Sequence, residues 1–316
     1  RFLLPLLFLG SALCVPGISA HFAHEEVDLS PDDRVHFGEL PNGLRYAVMP
    51  NPEPPESVSI RLHVAAGSLM ETEDQRGLAH YLEHMAFNGS RHYPPGELVE
   101  YLQRLGMSFG ADTNAYTSLD KTVYQLELPE NTDAYLTEGL AVMRDYADGL
   151  LLLPSEIDRE RGVILSEMRS RDTVSYRTFV AQWAFLFPET RLPERLPLGT
   201  KAVVKNATRT EFRDFYRTWY RPERMLLVVV GDIDAEATVA HIRDAFATAM
   251  NFGPSPDMPD LGRITDPGLA VELHVEPEAP EVEINLLSLR PFTGPVDGRD
   301  VRIRKIQTSA ALGMLN

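Results

Sequence analysis

Two periodicities run through the chain. Ser57 to Ala65 reads SVSIRLHVA, apolar at alternate positions, and Thr122 to Leu128 reads TVYQLEL; both predict strands. Val35 to Phe37 and Leu44 to Met49 predict a hairpin about Pro41-Asn42-Gly43, and Met225 to Val230 is a continuous apolar run that predicts a buried strand. Leu269 to Val275 and Val282 to Leu287 predict two more. Helical spacing appears over Gly77 to Phe87, Glu97 to Leu105, Thr132 to Leu152, Ser155 to Arg169, Thr208 to Trp219 and Ala235 to Met250. Strands and helices mix without strict alternation, which implies an α+β fold.

Length adds a domain expectation. At roughly 150 residues per domain, 316 residues suggest two. A proline-bearing loop from Arg191 to Gly199 separates two patterned regions. The expected partition is 34–200 for a first domain and 201–316 for a second, incomplete αβ domain, after a polar lead-in at 21–33. Residues 1–20 differ in kind. Phe2 to Leu9 reads FLLPLLFL, and Ile18-Ser19-Ala20 offers a cleavage site, so a signal peptide and export to periplasm or exterior are expected. No later stretch approaches the ~20 apolar residues of a membrane span.

Charge and cysteine narrow the chemistry. A net charge of −16 disfavours nucleic acid and anionic membrane as partners. Cys14 is the only cysteine and lies inside the expected signal, so the mature chain would have neither disulfides nor thiolate zinc sites. Any metal must then sit on imidazole and carboxylate.

The segment Gly77-Leu78-Ala79-His80-Tyr81-Leu82-Glu83-His84-Met85-Ala86-Phe87 offers such a site. Helical positions four apart lie about 40° from each other around the axis, so His80 and His84 can face one ion. Glu83 sits about 60° to one side, able to reach a water without being a ligand. Catalytic zinc commonly takes three protein ligands and one open position, so a third ligand is required from elsewhere. Glu160 and Glu167 lie seven residues apart, nearly two turns, and share a helix face. One can ligate and the other can hydrogen-bond a ligand histidine. The other seven of the nine histidines lack partner spacing and read as ordinary. With zinc bound, Glu83 would take the water's proton as general base and return it to the leaving amine.

Several separated motifs now stand in order: His80-x-x-Glu83-His84, Asn114-Ala115-Tyr116-Thr117-Ser118, Glu160-Arg161-Gly162-Val163-Ile164 with Glu167, and Phe215 to Pro222 followed by Val228-Val229-Val230-Gly231-Asp232. Together they resemble the pitrilysin/insulinase family of zinc metallopeptidases, most of all its exported bacterial members. The resemblance implies two successive αβ domains, each a mainly antiparallel sheet packed with helices. It implies one zinc per chain on His80, His84 and Glu167, with Glu83 as base and Glu160 supporting from behind. It places Asn114 and Ala115 on an edge strand where a peptide substrate adds as a further strand. It implies a metalloendopeptidase whose chamber is closed by a second homologous half, from the same gene product or a partner chain. The competing reading is a catalytically silent or half-site subunit of the same family.

Overall fold

The computed structural model describes residues 22–108, 110, 112–250, 253–265, 268–279, 282–289 and 297–315. The expected signal at 1–20 lies outside the described residues. The chain divides into two compact units, one of Asp33–Glu283 and one drawn from Arg1–Asp32 with Ile284–Asn316.

The larger unit is built on a six-stranded sheet. Its strands are β1 (His36–Glu39), β2 (Arg45–Pro50), β3 (Val58–Val64), β4 (Thr113–Thr117), β5 (Thr122–Leu128) and β6 (Met225–Gly231), in the order β1-β2-β6-β3-β5-β4. All neighbours are antiparallel except β2 and β6. Alternation sets the faces: Val58, Ile60, Leu62 and Val64 are buried, while Ser59, Arg61 and His63 point to the other side. On that outer side Glu127 accepts hydrogen bonds from Ser59 and Arg61.

Helices cover the buried face. They are α1 (Leu78–Met85), α2 (Glu97–Arg104), α3 (Asp133–Asp148), α4 (Pro154–Ser170), α5 (Val174–Leu186), α6 (Lys201–Asn206), α7 (Arg209–Trp219) and α8 (Ala235–Phe246). α3 lies on β3 and β5, α8 on β2, and α1 on β4 and β5. Gly139 allows the close approach of α3: a Cβ there would sit 2.9 Å from Ile60 Cδ1. α7 braces α1 from behind, with the Tyr81 and Phe212 rings edge to face at 4.8 Å.

The structure departs from the sequence expectations in two places, at 269–287 and at α5. β6 fills the centre of the sheet between β2 and β3, and α7 packs on α1. A run as apolar as Met225 to Val230 needs a partner strand on both edges, and only a central position supplies two. Leu269 to Val275 and Val282 to Leu287 are not strands. Among the described residues no strand pairs with them in a ladder, and Leu269, Val271, Val282, Ile284 and Leu286 are at least 84% exposed. α5 was not anticipated, because its aromatic-rich sequence carries no clear polar face.

In the smaller unit, α9 (Arg299–Leu315) begins where the Arg299 backbone N–H donates to Asp28 Oδ1 at 2.9 Å. No helix among the described residues is long and apolar enough to cross a membrane.

Candidate metal centre

α1 begins abruptly. Gly77 has φ +101°, a left-handed conformation that favours glycine, and it has no side chain with which to cap the helix. Glu71 performs that task from outside. Its carboxyl accepts from the Gly77 N–H at 2.9 Å and the Ala79 N–H at 2.8 Å, satisfying two of the orphan donors of the first turn. Glu71 is fully buried; burial lifts its pKa to about 8 against the pull of the two N–H groups, Arg195 and Arg76. This residue drew no notice in the sequence, since a cap six to eight residues upstream has no local signature.

Along α1, His80 and His84 turn the same way, their rings edge to face at 4.8 Å. α4 packs against α1 and brings Glu167 opposite. Glu167 Oε2 lies 3.5 Å from His80 Nε2 and 3.6 Å from His84 Nε2. The three donor atoms all fall within 4.8 Å of one another, the sole such group among the described residues.

Glu160, one face-repeat earlier on α4, does something different. Its Oε1 lies 2.9 Å from His84 Nδ1, and its Oε2 accepts from Asn88 Nδ2 at 3.1 Å. A proton on Nδ1 leaves the His84 Nε2 lone pair facing Glu167. Asn88 also donates to the His84 carbonyl and accepts from Arg159, which ties the end of α1 to α4. Glu167 Oε1 is occupied by Arg171 Nε at 2.9 Å, so the carboxylate presents Oε2 alone to the imidazoles.

Protonation follows from burial and neighbours. Burial, then His84, lowers the His80 pKa to about 4, so its ring is neutral at pH 7. Burial also pulls His84 down, but the Glu160 bond and nearby carboxylates outweigh it and the net shift is upward. Glu160 itself is held below the usual carboxylate range, its burial overcome by His84 and Asn88. Burial raises Glu83, with the Thr117 hydrogen bond opposing.

These groups open onto a cavity of about 1240 Å³. One wall is β4, including Asn114 and Ala115; another is the aromatic face of α5, Tyr176, Phe179 and Trp183. β4 is the border strand of the sheet. Asn114 Oδ1 accepts from the Ala115 N–H at 2.9 Å. The structure thus brings all seven sequence candidates to one cavity. It adds Asn88, Arg171, Thr117 and, one layer back, Glu71.

Comparison with known proteins supplies a family. Residues 46–180 match the description of Insulinase (Peptidase family M16), and residues 206–291 match that of the Peptidase M16 inactive domain. The chain belongs to the insulinase family. The second match begins within the larger compact unit, ahead of β6. A probable zinc protease PqqL of Escherichia coli is 38% identical over 239 residues, 76% of this chain and 25% of that protein. The chloroplastic stromal processing peptidase of Arabidopsis thaliana is 34% identical over 218 residues, 68% of this chain and 16% of that protein. The crystal structure of the first half of the periplasmic protease PqqL from Escherichia coli superposes with a TM-score of 0.70 at 35% identity, covering 75% of this chain and 50% of that one. The chain therefore spans about a quarter of the length of the first of these relatives.

Proposed function

We propose that this chain is the zinc-holding part of an exported metalloendopeptidase, with His80, His84 and Glu167 as ligands and Glu83 as general base. The observation that carries the reading is the convergence of two imidazole Nε2 atoms on one carboxylate oxygen. Tetrahedral zinc with ligands at about 2.0–2.2 Å separates its donors by roughly 3.4 Å. The observed 3.5 and 3.6 Å meet that separation, and all three donor atoms lie within 4.8 Å of one another. An all His/Glu donor set of three also suits a catalytic zinc, which keeps one position open.

When bound, zinc would acidify a water and polarise the scissile carbonyl. The chain's own residues do the rest. Glu160 holds the His84 ring in the tautomer that frees Nε2, and Arg171 limits Glu167 to one presented oxygen. Glu83 takes a proton from the attacking water as the new C–O bond forms. It then delivers that proton to the leaving nitrogen as the C–N bond breaks. A peptide substrate would lie along β4 past Asn114 and Ala115, held mainly by backbone hydrogen bonds. The short share of its relatives' length supports a second homologous half that closes the chamber.

The test is metal content and hydrolysis of a quenched fluorogenic peptide by the intact protein. One zinc per chain, loss of activity on chelation, and loss of activity without loss of zinc in Glu83→Gln are expected. A Glu83→Gln protein as active as the parent would sink the mechanism. Zinc binding with no hydrolysis until a second chain is added would favour the half-site subunit instead.

A further inference from the structure

We propose that Thr117 is a positioning residue that fixes the Glu83 carboxylate so that Oε1, not Oε2, receives the proton of the attacking water. The inference rests on the reading of Glu83 as general base given above. Thr117 closes β4, and its Oγ1 donates to Glu83 Oε2 at 2.9 Å. No hydrogen bond among the described residues reaches Oε1, and Glu83 lines the cavity as a buried residue, 8% exposed. A hydroxyl has one proton to donate, so the bond selects one carboxylate oxygen and one rotamer.

Thr117 is itself a fixed point. It pairs with Thr122 across β4 and β5. Immediately beyond it, the Ser118 N–H donates to the Lys121 carbonyl at 2.8 Å, and the Ser68 N–H donates to the Ser118 carbonyl at 3.1 Å. Thr122 Oγ1 donates in turn to the Ala66 carbonyl at 2.9 Å. The hydroxyl is therefore anchored by backbone on both sides, while α1 is anchored separately by Glu71.

The consequence is a link between substrate and base. The strand whose outer edge faces the cavity is the same strand whose last residue holds Glu83. A peptide added to that edge is registered against the oxygen that takes the proton. Charge and atoms balance: the proton moves from water to Oε1 and leaves on the amine, and Thr117 keeps its own proton throughout.

The experiment measures kcat and KM for peptide hydrolysis, with zinc affinity by chelator competition, for the intact protein and for Thr117→Val, Thr117→Ser and Glu83→Gln. Thr117→Val is expected to lower kcat about tenfold, the value of one well-placed hydrogen bond. KM should stay within about twofold and zinc affinity should not change, while Thr117→Ser restores kcat. Wild-type kcat in Thr117→Val overturns the proposal. So does a loss of zinc in step with kcat, or a Thr117→Ser protein as impaired as the valine variant. Should Thr117→Val fail to accumulate, Thr117→Ala carries the same expectations. A fully active Glu83→Gln protein refutes the base reading; a dead Glu83→Gln with an unimpaired Thr117→Val refutes this inference alone.

Discussion

The two helices that meet at the metal centre are built in opposite ways. α1 is 8 residues long and six of them are buried: Leu78, Ala79, Tyr81, Leu82, Glu83 and Met85. α4 is 17 residues long and buries only Ile157 and Ile164. The difference matches what each helix must present. A ligand imidazole must be neutral, and burial on α1 disfavours the charged ring at His80, whereas the Glu160 bond and nearby carboxylates shift His84 upward. A carboxylate must be charged and aimed, and the open face of α4 leaves room for Asn88 and Arg171 to hold Glu160 and Glu167. The proposed site thus draws its imidazoles from a dry helix and its carboxylate from a wet one.

The largest test of this contrast is Glu167→Ala. It removes a donor that no neighbour replaces, so stoichiometric zinc binding should disappear in a metal titration, while α4 stays folded because the side chain is not part of its core. Retained zinc at wild-type affinity would mean that α4 supplies no ligand. Glu160→Gln should be milder. Changing the partner of a ligand histidine typically costs about 10–100-fold in metal affinity, and that range is expected by chelator competition. An effect as large as that of Glu167→Ala would reverse the two roles.

On the α1 side the matching variant is Glu71→Gln, which leaves one helix N–H without an acceptor. A loss of about 1–3 kcal/mol in unfolding free energy is expected below pH 6. The pH dependence sharpens it. The folded-state pKa of Glu71 is raised to about 8, so its contribution is complete at low pH and is lost as pH rises towards 8. The parent should therefore lose stability relative to the variant between pH 5 and about 8, measured as Tm at each pH. A gap that widens with pH would show that the buried carboxyl is ionised in the folded protein throughout. The smallest effect belongs to Arg171→Ala. The guanidinium is 62% exposed, so its pair with Glu167 is screened. A fall in zinc affinity of less than about threefold, diminishing at high salt, is expected.

Much of this site was legible in sequence because its determinants are local. His80, Glu83 and His84 fall on one side of a helix by spacing alone, and the seven-residue interval from Glu160 to Glu167 places both carboxylates on one face. Thr117 lies inside the Asn114–Ser118 motif and Asn88 just past the α1 segment, yet their partners are 34 and 72 residues away. No periodicity reports a hydrogen bond of that reach. The strand alternation of β3 and β5 was equally readable, whereas the strands expected at 269–275 and 282–287 depended on neighbours that the alternation could not supply.

By itself, then, the sequence determined the strands of the sheet, most of the helices packed on it and the trio on α1, because each depends on residues within a few turns of one another. Tertiary structure decided the rest. The packing of α4 on α1 chose Glu167 over Glu160 to face the imidazole Nε2 atoms. Sheet order placed β6 between β2 and β3. Hydrogen bonds with no periodic signature chose Glu71 to cap α1 and Thr117 to hold Glu83. In each case the deciding partner lies beyond the reach of helix or strand periodicity, and only a folded backbone brings it into place.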